Sequence, residues 1–147
     1  MLNKISQYGK NRSFGIISYI EKYRTDFPSI TKVLLIDKTS CWVGSSDGRL
    51  LNYNFSNKEV LANFLPSNNE DHCRIVDIQM NPSIKEQLAI VYQNNTCHYF
   101  NVNTKAMKQV FSTEDSVTIK SINFLTFHAN KSLMVLASDD FITIIDL

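Results

Sequence analysis

The sequence predicts an all-β chain built from about three repeated units of four short antiparallel strands. Three observations carry this. A polar turn, then a short strand closing on a bulky residue and Asn or Asp, occurs at Ser45 to Asn54, Tyr92 to Asn101 and Ala137 to Asp146. The turn residues Gly48, Asn95 and Asp140 of these copies stand 47 and then 45 residues apart. The opening strands of the units also align, as Ile30, Val33, Leu35, then Ile75, Ile78, Met80, then Ile119, Ile122, Phe124, and the second strands start at Cys41, Leu88 and Leu133. A shared period over independent columns marks a repeat, and alternation within each strand suits a half-buried antiparallel sheet.

The first unit is expected over residues 29–65. After Pro28, Ile30 to Ile36 is rich in β-branched residues and reads as a strand. Asp37 to Ser40 is turn chemistry, Cys41 to Gly44 a second strand, and Ser46-Asp47-Gly48 a tight hairpin signal. Arg49 to Asn54 and Glu59 to Phe64 are the third and fourth strands, divided by Ser56-Asn57-Lys58; Pro66 to Asp71 is a polar loop. The second unit, 72–112, repeats the order: Cys73 to Met80, Leu88 to Tyr92, Thr96 to Val102 and Ala106 to Phe111. Its turns fall at Asn81-Pro82-Ser83, Asn94-Asn95 and Asn103-Thr104-Lys105. The third, 117–147, is incomplete: Val117 to Phe124, a turn at Ala129 to Ser132, Leu133 to Ala137, a turn at Ser138-Asp139-Asp140, and Phe141 to Leu147. Residues 1–28 read as a strand pair or the end of a preceding unit, with Phe14 to Ile20 as a strand. A helix over Ile16 to Arg24 competes but has no capping signal.

A chain of 147 residues can bury a real core, and 44% hydrophobic with 20% charged residues excludes a disordered tail or a fibre. A net charge of +1 argues against a dedicated nucleic-acid binder, where a basic face is expected. Cys41, Cys73 and Cys97 are too scattered for a disulfide framework and read as core residues in a reducing compartment. Met1 to Lys10 has no signal-peptide core, and no apolar run approaches the ~20 residues of a membrane helix. The expected setting is soluble and intracellular, in cytoplasm or nucleus, with no membrane insertion. Asparagine is abundant without forming a tract, which reads as a bias of the source genome.

Four antiparallel strands per unit of about 45 residues resemble the blade of a β-propeller. The third strands are similar to the apolar-x-apolar-Trp-Asp ending of WD-repeat blades. Tyr53, Phe100 and Ile145 hold the Trp position, and Asn54, Asn101 and Asp146 the Asp position. Ile75 to Pro82 resembles that family's first-strand signature. The departures are specific. No Gly-His pair precedes a first strand, although His72 lies near the family's His position; Asp47 and Asp139 match the turn Asp, and Asn94 only approximates it. The family's polar tetrad is therefore complete in no blade. The resemblance covers about residues 28–147 and implies a partial, WD-repeat-like β-propeller. Propellers close with four to eight blades, so the remaining blades are expected from a longer product, from other subunits or from a second copy of this chain.

No catalytic, cofactor-binding or metal-binding residue is predicted. His72, His98 and His128 lack metal-ligand spacing, and His98 reads as a structural histidine within a strand. Adjacent residues of an extended strand point to opposite faces, which rules against a Cys73–His72 pair beside Asp71 and against Asp139-Asp140 as paired carboxylates. Four glycines leave no phosphate-binding loop. Trp42, the only tryptophan, is assigned to the core. Lys4, Lys10, Arg12, Lys22 and Arg24, interleaved with Tyr8, Phe14, Tyr19 and Tyr23, form either a solvated face or an RNA-contacting arm. What the resemblance implies is a non-catalytic protein–protein interaction scaffold within a larger complex. RNA or ribonucleoprotein binding through the basic segment is the alternative, and an enzyme on a compact β-sandwich is a third reading.

Overall fold

Strand-forming runs and turn residues alternate along the chain closely enough that every described segment is strand or connection. The computed structural model describes residues 29–54, 56–57, 59–65, 73–113, 117–126 and 132–146. Among these, β1 (Ile30–Leu35), β2 (Ser40–Ser45), β3 (Leu50–Asn54) and β4 (Glu59–Phe64) form a first sheet. A second contains β5 (Ile75–Met80), β6 (Gln87–Tyr92), β7 (Thr96–Asn101) and β8 (Met107–Ser112), and a third β9 (Ile119–Thr126), β10 (Ser132–Ser138) and β11 (Ile142–Asp146). Strands consecutive in sequence are neighbours and all pairs are antiparallel, so each sheet is a meander. The all-β expectation holds among the described residues. Strand ends differ by a residue or two: β9 runs on to Thr126, and Ser132, expected in a turn, opens β10. The strand or helix expected within residues 1–28 lies outside the described residues.

The repeat extends to irregularities. The first strand of each sheet carries one extra residue against its partner, at Thr31, Val76 and Lys120. These bulges stand 45 and 44 residues apart, the period of the strands themselves. A bulge twists its strand locally and re-aims the side chains beside it. The chain just ahead of β1 and β5 is tied the same way, Ser46 donating to the Ser29 carbonyl and Gln93 to that of Arg74, each at 2.8 Å.

Turn side chains hold the connections. The side-chain oxygens of Asn54, Asn81, Asn94 and Asn101 each accept from a backbone N–H two residues on, at Ser56, Ser83, Thr96 and Asn103. Asp37 does the same for Thr39 and Ser40. This is the local capping that makes Asn and Asp turn formers, so part of the asparagine abundance has a structural use rather than a compositional one. Gly48 (φ 85°) and Asn95 (φ 61°) both take the left-handed conformation that a three-residue hairpin loop needs at its last position. The third hairpin is one residue tighter: Ser138 donates directly to the Phe141 carbonyl, leaving Asp139 and Asp140 as the loop. Asp140 therefore shares the sequence column but not the left-handed turn.

Alternating side chains of the second sheet feed two cores. Leu88, Ile90, Tyr92 and Phe100 pack with Trp42, Leu50, Ile75 and Ile78 between the first and second sheets. Trp42 meets Phe100 edge-on at 6.1 Å, and Phe64 lies 4.9 Å from Phe100. Ala89, Val91 and Cys97 pack with Ile119, Ile122, Met134 and Leu136 between the second and third. Gly44 lets β2 approach β5 closely; a Cβ there would meet Ile75 Cγ2 at 2.7 Å. Cys41, Val43, Leu51 and Tyr53 are buried on the other face of the first sheet.

Candidate functional site

Two polar constellations stand out against this apolar frame. The first centres on Asp77, whose side chain is 3% exposed although it belongs to an apolar strand. Asp77 follows the extra residue Val76 of β5. One carboxylate oxygen accepts from Lys32 Nζ at 2.7 Å and from the Ile78 N–H at 2.9 Å; the other accepts from the Ile122 N–H at 3.0 Å. Lys32 belongs to β1 and Ile122 to β9, so one carboxylate ties all three sheets. The Asn95 side chain adds a second tie, its Oδ1 accepting from Ile119 at 3.3 Å, while its carbonyl accepts from Thr113 at 3.2 Å. Every contact of Asp77 is structural in kind: a buried anion satisfied by a cation and two amides.

The second is a cleft of about 710 Å³ between β8 and β11. Asn81, Gln87 and Tyr99 line it as a closed hydrogen-bonded set. Asn81 Nδ2 donates to the Tyr99 hydroxyl at 2.9 Å and to Gln87 Oε1 at 3.1 Å, and the Tyr99 hydroxyl donates to Gln87 Oε1 at 2.5 Å. Burial raises the Tyr99 pKa, against the opposing effect of the Asn81 bond, so the phenol stays a neutral donor rather than a base. The Tyr99 ring also stands edge-on to Phe124 of β9 at 6.5 Å. Val110 and Ile145 supply apolar wall, with Lys108 and Asp146 beside them. This arrangement fits binding: fixed hydrogen-bond groups next to apolar wall.

The residues singled out in the sequence disperse. His98 is half-buried in β7, its Nε2 3.1 Å from Thr96 Oγ1 and its ring edge-on to Tyr92 at 5.1 Å. Burial lowers its pKa, the behaviour of a packed histidine. Cys41 and Cys97 are buried thiols pushed up to about 11 and about 12 by desolvation; the three cysteines are free. Tyr53 and Phe100, in the Trp position of the repeat, are core residues, and Asn54 and Asn101 cap the next turn. Asp47 serves its own hairpin, accepting from Ser45 Oγ at 2.6 Å and pairing Arg49 at 2.9 Å. Asp139 pairs with Lys120. Among the described residues no group of three His, Cys, Asp or Glu side chains could hold a metal. His72, His128 and the basic positions Lys4, Lys10, Arg12, Lys22 and Arg24 lie outside the described residues. Asp77 and the Asn81–Gln87–Tyr99 set escaped sequence reasoning. A signal for the first existed: Lys32 and Asp77 occupy one column of the repeat with opposite charges.

No protein-family model matches the sequence, and no curated protein matches it. Among solved structures, the chain is similar to the crystal structure of Saccharomyces cerevisiae Sqt1, a WD40 protein. The TM-score is 0.61 at 19% identity, over 81% of this chain and 31% of that one. The fold is that of a partial, WD-like β-propeller. The three sheets are its blades, stacked side by side, and the chain spans about a third of the length of Sqt1.

Proposed function

We propose that the chain is a non-catalytic protein–protein interaction scaffold of WD-repeat type, a subunit of a larger intracellular complex. The observation that carries this is the apolar surface on the outward blade faces. Ile142 and Ile144 of β11 are 71% and 62% exposed, and Leu35 of β1 is 64% exposed. Val33 and Leu35 form an exposed apolar pair on one outward face and Ile142 and Ile144 another on the opposite face, and exposed apolar patches of this kind suit cover by another protein. The polar groups that are buried, Asp77 and Asn95 above all, hold blades together, and the cleft has the character of a docking groove. Free cysteines at all three positions suit a reducing compartment.

The test is isolation of the tagged chain from its native cells under gentle conditions, with native mass spectrometry of the product. The expected result is a reproducible stoichiometric complex with other protein subunits. A folded, lone monomer in the native extract overturns the proposal.

A further inference from the structure

The first two blades bury the same side of their sheets, but only the second does so against a described neighbour. Leu88, Ile90 and Phe100 face the first blade and share a core with its Trp42 and Leu50. Cys41, Val43 and Tyr53 stand 47 residues before each of them. These three are 0%, 1% and 2% exposed, yet among the described residues their cluster holds only Leu51 and Ile30 besides, both of the same sheet. Something of the chain therefore covers the first sheet on the side away from the second. Of the longer stretches outside the described residues, 66–72 leads from β4 to the second blade, and 114–116 and 127–131 connect strands of the second and third. Residues 1–28 alone adjoin this face, through β1.

The repeat says which of them fit. Moved back by 45 residues, the spacing of Thr31 and Val76, β3 and β4 fall on residues 5–9 and 14–19. Ile5-Ser6-Gln7-Tyr8-Gly9 and Phe14-Gly15-Ile16-Ile17-Ser18-Tyr19 have strand length, and Lys10-Asn11-Arg12-Ser13 between them is polar, as Ser56-Asn57-Lys58 is between β3 and β4. In the first blade Leu50, Ala62 and Phe64 of β3 and β4 reach the core shared with the second. Their counterparts are Ile5, Ile17 and Tyr19, every one able to enter a core. Phe64 lies 4.9 Å from Phe100 between ring centroids, and the step back pairs Tyr19 with Tyr53.

The cover also ends where a pair of outer strands would end. Val33 and Leu35 of β1 stand opposite Val43 and Cys41 on the same face, but are 42% and 64% exposed. Ile78, one period on from Val33, is fully buried in the core that Leu34 and Ile36 of β1 adjoin. A preceding first strand would shield Val33 as β1 shields Ile78; third and fourth strands alone leave it bare.

We propose that residues 5–9 and 14–19 form the third and fourth strands of a further blade, which lays Ile5, Ile17 and Tyr19 on Cys41, Val43 and Tyr53. The occupant of this face is the chain's own N-terminal segment. Lys10 and Arg12 then fall in the turn between two strands rather than along an extended RNA-contacting arm. This goes beyond the scaffold reading and does not rest on it.

The test is alkylation of the full chain by iodoacetamide, with Cys41 and Cys97 followed separately by peptide mass spectrometry. Each rate is divided into that of the same cysteine in the urea-unfolded chain, which gives a protection factor per site. Cys97 reports the core between the second and third blades, and Cys41 the proposed cover. A covered thiol reacts only through opening, so both should be protected in the native chain. Tyr19→Asp should lower the protection of Cys41 by roughly tenfold or more and leave that of Cys97 unchanged, whereas Tyr19→Phe should preserve both. A native Cys41 without protection, or protection that Tyr19→Asp does not lower, overturns the proposal. So does protection of Cys41 that fades on dilution, since a second copy would then be the cover. If Tyr19→Asp exposes Cys97 as well, the native chain decides: nuclear Overhauser contacts between the Tyr19 and Tyr53 rings are expected, and their absence overturns the proposal.

Discussion

Asp77→Ala should cost the fold about 3–6 kcal/mol. Two buried backbone N–H groups, of Ile78 and Ile122, would lose a charged acceptor, at roughly 1.5–3 kcal/mol for each such bond. The Lys32 partner adds little. Its side chain is 37% exposed and can turn to water, so the ion pair itself contributes roughly 0–1 kcal/mol. The ordering is therefore diagnostic: Asp77→Ala most damaging, Asp77→Asn intermediate because one acceptor oxygen remains, and Lys32→Met least, because the carboxylate keeps both amide bonds although it loses its cation. The assay is urea unfolding followed by fluorescence of Trp42, the only tryptophan, which is buried between the first two blades. Far-UV circular dichroism reports all the sheets in parallel. Against a total stability of about 5–15 kcal/mol for a domain, the loss should move the midpoint far outside error. A loss below about 1 kcal/mol for Asp77→Ala, where a single buried charged bond already exceeds that, would refute the staple. Equal losses for Asp77→Ala and Lys32→Met would place the energy in the ion pair instead.

Three other outcomes follow from the same geometry. Gly44→Ala drives a Cβ into Ile75 and should lower stability by about 1–3 kcal/mol, read as a lower thermal midpoint in calorimetry. Asn95→Gly should lose only the bond to Ile119, whereas Asn95→Ala also leaves a Cβ in the left-handed turn without the polar side chain that makes Asn tolerant of it; the stabilities should differ by about 1 kcal/mol in favour of glycine. Burial holds the His98 pKa below its ordinary 6.5, so the unfolded chain takes up a proton that the folded chain refuses. Stability should be level above that value and fall as pH drops through 6.5 toward the folded pKa. A thermal-melt series from pH 8 to 5 checks this, and His98→Gln should flatten it.

The strands were legible because each is set by its own few residues. Glu59 to Phe64 is β4 with the bounds read from alternation and flanking turns, and Asn54 and Asn101 stand where the repeat places them because each caps the turn that follows. Contacts between blades were not legible, since they join residues one period apart whose side chains meet only after the sheets stack. Asp77 reads as an interruption among Ile75, Val76 and Ile78, and nothing local says that its carboxylate reaches Ile122. Asn95 reads as a turn residue, which it is, but its bond to Ile119 depends on where β9 comes to rest. The cleft set joins Asn81 to Tyr99 across the second sheet, and periodicity carries no such pairing. The shorter third hairpin was hidden by an alignment that placed Asp140 level with Gly48 and Asn95.

The meander has a consequence for how the chain acquires its shape. Every strand pair joins sequence neighbours, so loop-closure entropy within a blade is small and pairing there should be fast. The ties that join blades, Lys32 to Asp77 and Asp77 to Ile122, span 45 residues each. Formation should thus proceed in order along the chain: hairpins, then whole sheets, then docking, with Asp77 setting only after β9 arrives. On a ribosome the four strands of the first sheet are all available once Phe64 has emerged, whereas the residues of the second sheet that pack on Trp42 come later in the chain.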